Sequence, residues 1–395
     1  MLGELGRVIR GASPRPKGDK RFYGGAIPRL MVEDVTRDGK FVIPQVDFLT
    51  EEGAKRSRPC KAGTLTIVCS GTVGVPSLLA VDACIHDGFL GLVGTKKGID
   101  TNYLYYQIDS FRKKFDSSAT HGGVFTNLTT SGVRDFAIPM PQAEAEQRAI
   151  ASALSDADSL IESLEQLVAK KRQIKQGTMQ ALLTGKQRLP GFGGEWKEIL
   201  LGNVADVLKG KALAKAHISS SGVYPCVLYG ELFTKYGRVI ETVDGHTNSS
   251  DGLLSICGDV LMPGSTTTTG VDLATASALL RDDVAIGGDI NIIRSIGCDY
   301  DATFMANYLT HARREKVAEL AQGITIHHLY GRDLRKLSLV LPPISEQIAI
   351  ATILTDMDTE LAELEGRLSK TRQLKQGMMQ ALLTGRIRLP LNAAA

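Results

Sequence analysis

Side chains that could coordinate a metal, attack a carbonyl or cradle a phosphate are scarce at productive spacing in this chain. His327 and His328 are adjacent. On a strand they would project to opposite faces, which does not make a shared metal site. Cys60, Cys69, Cys84, Cys226, Cys257 and Cys298 are scattered, with no CxxC pair. They read as reduced thiols, not a zinc site or a disulfide frame. SGTVG (70–74) and GFGG (191–194) are glycine-rich, but neither sits in the strand–GxGxxG–helix context of a dinucleotide site. No GxxxxGK[ST] phosphate loop, HExxH or GxSxG occurs. LPPIS (341–345) has two prolines but lacks the flanking polar and aromatic residues of the Asn/Asp-Pro-Pro-aromatic tetrapeptide of amino-methyltransferases. The residues point to a binding protein, not an enzyme.

What they could bind is polyanionic. Arg7, Arg10, Arg15, Lys17, Lys20, Arg21 and Arg29 face only Glu4 and Asp19 within the first 29 residues, with Phe22 and Tyr23 interleaved. Lys55, Arg56, Arg58 and Lys61 form a second cluster, and Lys209, Lys211 and Lys215 lead towards Lys235, Tyr236 and Arg238. Lys and Arg neutralise phosphates, and Arg, Asn, Gln and Thr read base edges. Hydroxyl-rich loops suit phosphate contact. The candidate DNA-binding residues are therefore Arg15, Lys17, Lys20, Arg21, Ser70 and Thr72 in the first half. In the second half they are Lys211, Lys215, Lys235, Arg238, Thr266, Thr267, Thr268 and Thr269. The competing reading of each cluster is a solvated face. Tyr224 and Tyr229 are expected in the core or in turns, not on bases.

These candidates must be held by a frame, and the frame is repeated. Glu146–Pro190 and Glu346–Pro390 match without a gap at about 26 of 45 positions, which chance does not produce. Ile150, Leu154, Ala157, Ile161, Leu164, Val168 and Ile174 recur at mostly three- and four-residue steps, as do Ile350, Leu354, Met357, Leu361, Leu364, Leu368 and Leu374. That spacing predicts two long amphipathic helices. Thr184-Gly185 and Thr384-Gly385, then Pro190 and Pro390, supply stops. Gly177 and Gly377 would weaken or bend the helices. Each apolar stripe needs a partner, and the obvious one is the other helix, in a coiled coil; the alternative is that each stripe packs only on its own globular domain.

The segments before each helix are rich in Gly and Thr, with short apolar runs such as LTIVCS (65–70), FLGLV (89–93) and INIIR (290–294). This predicts turn-rich α+β heads. LGELGRVIRG (2–11) echoes LGNVADVLKG (201–210), SGTVG falls where PGSTTTTG (263–270) falls, and GGVFTNL (122–128) echoes GITIHHL (323–329). Nearly identical helices thus carry two diverged heads, a fixed scaffold for two readers.

Across 395 residues the formal charge is only +3 with 43% hydrophobic residues. A histone-like tail is excluded, and local basic patches are not. No apolar run spans a bilayer and the start lacks a secretory h-region, so a soluble cytoplasmic protein with no membrane partner is expected.

The helix motifs AEAEQRAIASALSDAD (143–158), PPISEQIAIATILTDMD (342–358) and the KQG-x-MQALLTG-x-x-RLP ends resemble the specificity subunit of type I restriction-modification systems. So do the head openings LGELGRVIRG and WKEILLGNVADVLKGK (196–211), and the likeness covers essentially the whole chain. The resemblance implies a first target recognition domain over 1–142, a central conserved helix over 143–190, a second recognition domain over 191–342 and a C-terminal conserved helix over 343–395. It implies a pseudo-two-fold tandem repeat on double-stranded DNA, with the two helices packed as an antiparallel coiled coil that spaces the heads, each head reading half of a bipartite asymmetric site. Two methylation subunits would dock, and restriction subunits with translocase activity would complete the complex. S-adenosylmethionine, ATP and magnesium would reside on those partners, with no cofactor in this chain. Gly366 and Arg367 replace Gln166 and Leu167, so the helices are not equivalent midway. Base-reading residues do not carry over. Two other readings compete: heads that are themselves nuclease or transferase domains, and an adaptor that binds two proteins. A methylation-only or type II-like complex is a variant of the first reading.

Overall fold

The computed structural model describes residues 1–118, 120–121, 126–211, 213, 215–219, 221–249 and 252–389. The chain forms two compact units, Met1–Glu165 with Gly366–Ala395, and Gln166–Glu365. Both boundaries fall inside long helices, Glu144–Leu182 and Ile344–Leu382. Each unit therefore holds one head and parts of both helices.

In the first unit a five-stranded sheet runs Arg7–Arg10, Phe89–Val93, Leu65–Val68, Pro76–Leu79, Phe41–Val42. It is antiparallel except at its last pair. A four-stranded sheet follows the order Asp47–Leu49, Tyr23–Leu30, Ala83–Ile85, Pro59–Cys60. The central strands are apolar on both faces because both faces are covered. Leu65, Ile67, Leu90 and Leu92 point to a core shared with helix Thr101–Ser110 and with Ile150, Leu154, Leu382 and Leu383 of the long-helix segments. Val68, Leu79 and Phe89 point to a second core with Leu30 and Ile85 of the smaller sheet.

The second unit repeats this order strand for strand. Its larger sheet runs Ala205–Lys209, Ile290–Ser295, Asp259–Pro263, Ser277–Leu279, Val239–Ile240. Its smaller sheet runs His246–Thr247, Tyr224–Val227, Ala285–Ile286, Leu253–Leu254. The parallel pairs recur at the same places. The echo between the two head openings has a steric reason. A Cβ on Gly11 would stand 2.0 Å from the His86 carbonyl oxygen, and one on Gly210 would stand 1.9 Å from that of Gly287. Only glycine lets the backbone cross there.

Within each unit the helix segments run antiparallel. Lys375 pairs with Asp158 at 2.5 Å and Arg372 with Glu165 at 2.5 Å in the first unit. Lys171–Glu360 and Arg172–Glu365, both 2.6 Å, do so in the second. Such exposed pairs set register more than stability. The expected stripe is buried at Ile150, Leu154, Leu164, Val168, Ile350, Leu354, Leu361 and Leu368, but Ile174 and Leu374 are exposed. Six residues beyond Val168 or Leu368 is about 240° around a helix, off the stripe. The helices run unbroken through Gly177 and Gly377. Gly185 (φ 68°) and Gly385 (φ 73°) take the left-handed conformation that follows each helix end. Pro390 lies outside the described residues, as does part of 122–128.

Glu-Gln opens both helices because the pair fastens a head. Gln147 accepts from the Asp100 amide (2.9 Å) and donates to the carbonyls of Gly98 (3.2 Å) and Pro141 (3.0 Å). Gln347 accepts from the Asp301 amide (3.0 Å) and donates to Asp299 (3.3 Å) and Pro342 (2.9 Å). The preceding glutamates are buried: Glu346 binds Arg188 through Nε (2.6 Å) and Nη2 (2.5 Å), and Glu146 binds Arg388 likewise. Gln347→Ala should strand buried backbone groups and cost roughly 3 kcal/mol. Urea denaturation followed through Trp196 fluorescence measures it, and an unchanged midpoint would show that water replaces the amide.

Candidate nucleic-acid interface

The equivalent end of each head is organised around one aspartate. In the first unit Asp87 lies in the turn before strand Phe89–Val93. Its carboxylate accepts from Ser13 Oγ (2.8 Å) and stands 2.8 Å from His86 Nε2 and 3.6 Å from Arg15. Its carbonyl accepts from Arg10 Nε at 3.1 Å. Burial alone would raise the Asp87 carboxyl, but the Ser13 hydroxyl and the charges of His86 and Arg15 outweigh it and hold it low. Burial in turn lowers His86, aided by the nearby charges of Arg29 and Lys17. Cys69 donates its amide to Gly88 at 2.8 Å, which brings the following loop 70–74 to the same end. The turn thus gathers Arg15, Lys17, Ser70 and Thr72; Lys17 and Thr72 are exposed and Ser70 half-buried.

Lys20 and Arg21 lie farther along the same loop. Lys20 is exposed, whereas Arg21 is bound to Asp19 at 2.7 Å and lies 5.1 Å from the Phe22 ring. Arg29, grouped with these cations by sequence, is buried instead and paired with Asp47 at 2.7 Å.

In the second unit Asp289 stands in the equivalent turn, one residue further on than Asp87: its carbonyl accepts the Gly264 amide at 2.6 Å as that of Gly88 accepts the Cys69 amide. Lys209 lies 3.8 Å from the Asp289 carboxylate, and Ser265 Oγ donates to it. Lys211 bridges to Gly287 in the adjoining turn with an exposed side chain, and Lys215 is exposed on the short turn Lys215–His217. The threonine run reaches this end, but with its hydroxyls largely engaged. Thr266 is hydrogen-bonded to Thr268 at 2.8 Å, and Thr268 and Thr269 donate to Asp272 at 2.6 and 2.8 Å. They cap the turn Gly270–Ala274, and Thr267 is exposed.

Two second-half candidates differ from expectation. Lys235 is neutralised by Glu231 (3.2 Å) and Asp244 (3.5 Å). Arg238 belongs to the internal framework of its head: Nη1 donates to the Ala276 carbonyl (2.7 Å) and Thr310 Oγ1 (2.6 Å), and burial holds the guanidinium below its usual pKa. It precedes the short edge strand Val239–Ile240 as Lys40, lying 3.2 Å from Tyr106 Oη, precedes Phe41–Val42.

Tyr224, expected in the core or a turn, is exposed on a strand, and Tyr229 is exposed in a turn. Tyr229, Phe233 and Tyr236 line a cavity of about 650 Å³ with Thr267. The sequence reading discounts Tyr224 and Tyr229 and passes over Phe233, Asp87 and Asp289, the last two because acids are discarded in a search for cations. Their signals were HDG (86–88) and GGD (287–289), each just before a central strand. His327 and His328 occupy a short strand beside Ser265–Thr266. Among the described residues no group of three or more His, Cys, Asp or Glu is placed to hold a metal, and no helix is long and apolar enough to cross a membrane.

Replacing Arg15, Lys17 and Lys20 together by Ala should reduce the log–log salt slope of DNA binding by up to about 3, if each meets a phosphate. Lys235→Ala should leave the slope unchanged, because Glu231 and Asp244 already cancel that charge. Filter binding across a salt series separates these; an unchanged slope in the triple variant makes that loop a solvated face.

Residues 1–176 and 193–372 match the family described as type I restriction modification DNA specificity domain. The chain is 23% identical over 410 residues to the type I restriction enzyme MjaVIII specificity subunit of Methanocaldococcus jannaschii, covering 98% of this chain and 92% of that protein. It is 22% identical to a putative type I restriction enzyme specificity subunit of Haemophilus influenzae, covering 91% and 86%. The solved S subunit of a type I restriction-modification system from M. genitalium shares the fold, with TM-score 0.59 at 15% identity over 96% of this chain and 94% of that one.

Proposed function

The chain belongs to the type I restriction modification DNA specificity family, and from that premise we propose that each head reads one half of a bipartite, asymmetric site on double-stranded DNA. The observation that carries this is the contrast between the two aspartate-centred ends. The strand order around them is the same, whereas the exposed residues differ: Arg15, Lys17 and Thr72 in one, Lys211, Lys215 and Thr267 in the other. A common frame with unlike side chains is what reading two unlike half-sites requires.

The chain supplies recognition, not catalysis. Two methylation subunits dock on the helices and heads, and restriction subunits join through them. S-adenosylmethionine, ATP and magnesium are held by those partners, which flip and modify the base while this chain holds the duplex. The name under which one relative of the same fold was solved concerns complex assembly in a type I system, which supports this placing.

Selection from a random pool of DNA duplexes, with the chain co-purified with its methylation subunit, tests the proposal. The recovered duplexes should share a split sequence with two unlike halves at a fixed separation. A pool that stays random while the complex remains intact would instead favour an adaptor between proteins.

A further inference from the structure

The place where edge strand, head helix and long helix meet is framed alike in the two units and filled differently. In the first unit the Leu78 amide donates to the Lys40 carbonyl at 2.7 Å, as the Ala278 amide does to the Arg238 carbonyl at 2.8 Å in the second. Asp100 caps helix Thr101–Ser110 through the Tyr103 amide, as Asp301 caps Ala302–His311 through that of Phe304. Arg238 therefore stands where Lys40 stands, and Ala306 and Asn307 stand where Tyr105 and Tyr106 do. The Lys375–Asp158 pair of the first unit is the Lys175–Asp358 pair of the second.

In the first unit aromatic rings occupy this place. Lys40 Nζ lies 4.4 Å from the centre of the Tyr106 ring, 5.3 Å from that of Tyr105 and 5.0 Å from that of Phe41. Tyr106 Oη accepts from Lys40 at 3.2 Å and donates to Asp158 at 2.7 Å. One phenol thus joins the head to the long-helix segment beside it, with Lys375 Nζ 5.7 Å from the ring centre.

In the second unit the corresponding residues are Val239, Ala306 and Asn307, none of them aromatic. Asn307 is 2% exposed and turns back on its own helix. Its Nδ2 donates to the Thr303 carbonyl at 2.9 Å, and Oδ1 has no partner among the described residues. A cavity of about 750 Å³ results, lined by Met179, Arg238, Asn307, His311, Asp358 and Leu361. That is the size of a small-molecule site. Asp358 holds Lys175 through Oδ1, and no described group donates to Oδ2. Its side chain is 48% exposed, against 35% for Asp158 under Tyr106. Arg238 is anchored through Nη1 alone. Burial, then the charges of Arg238, Lys175 and Arg314, push His311 down to about 4, so its ring is neutral at pH 7. With Lys175 spent on Asp358 and Glu365 on Arg172, the walls carry little net charge. A guanidinium, a carboxylate oxygen and apolar surface at Met179 and Leu361 together suit an uncharged aromatic donor better than an anion.

We propose that this cavity of the second unit binds a small phenol, with the ring against the Arg238 guanidinium and the hydroxyl donating to Asp358. The template is Tyr106, whose ring lies beside the equivalent cation and whose hydroxyl donates to the equivalent aspartate. The bound phenol does in the second unit what that side chain does in the first. It joins helix Ala302–His311 to the long-helix segment that carries Asp358.

The test uses the full chain and p-cresol, the tyrosine side chain as a free molecule, titrated by calorimetry. Saturable binding is expected, with a higher melting temperature because the phenol binds the folded state alone. Hydrogen-exchange protection should rise in 302–311 and 355–362 and stay unchanged in 101–110 and 155–162. p-Methylanisole, which keeps the ring and lacks the donor, should bind at least about tenfold more weakly, since the lost hydrogen bond is to a charged group. Asn307→Tyr, which supplies the ring from within, should abolish p-cresol binding and raise the melting temperature. No saturable binding at millimolar p-cresol would overturn the proposal. So would protection outside the second unit's cavity, or equal binding of p-methylanisole, an arm that decides even if Asn307→Tyr fails to fold.

Discussion

Exchanging residues 195–342 for the corresponding head of another family member should rewrite one half of the recognised DNA sequence and leave the other half unchanged. The expectation rests on how a head is fastened. Gln347 holds the second head through the Asp301 amide and the Asp299 and Pro342 carbonyls. These are main-chain groups, which a foreign head of the same topology also presents. The residues around Asp289 travel with the exchanged segment, and those around Asp87 stay behind. The effect is complete at one half-site, because a mismatched base pair costs about 1–3 kcal/mol and a half-site holds several. Methylation mapping in cells carrying the exchanged chain measures it; a change in both halves would sink the modular reading.

The second large effect concerns the gap between half-sites. Each long helix has 39 residues and passes from one unit into the other. If the helices set the separation, four residues added after Glu165 and four after Glu365 should lengthen the gap by about one or two base pairs, since four helical residues rise about 6 Å. Placing the insertions at these unit boundaries keeps Asp158–Lys375 and Glu165–Arg372 in register in one unit, and Arg172–Glu365 and Lys171–Glu360 in the other. Both half-site sequences should persist. An unchanged gap in a complex that still methylates DNA would remove the helices from the role of spacer.

Much of the frame was legible because it rests on local, periodic signals. The repeat and its three- and four-residue steps exposed the helices, and Glu146-Gln147 and Glu346-Gln347 marked their openings. The strict strand-for-strand repeat of the heads was only faintly visible. Its carriers are single residues such as Gly11 and Gly210, whose need for a missing Cβ depends on strands some 75 residues away along the chain. The interface was partly legible. Lys17, Lys20, Lys211 and Lys215 are exposed as cations in a solvated loop should be. Arg238 and Lys235 misled, because charge in a sequence does not reveal which partners the fold supplies: a carbonyl and a hydroxyl for one, two carboxylates for the other. The threonine run misled likewise, since Asp272 lies close enough in sequence to cap the turn that follows it.

The central claim, that this chain directs modification to one split DNA sequence, is tested most directly by long-read methylation mapping. The DNA would come from cells expressing the chain with its methylation subunit, compared with cells lacking only this chain. The account predicts an asymmetric, two-part N6-methyladenine motif that disappears with the chain. Methylation that persists unchanged without it, or no such motif while the partner is active and bound, would contradict the account.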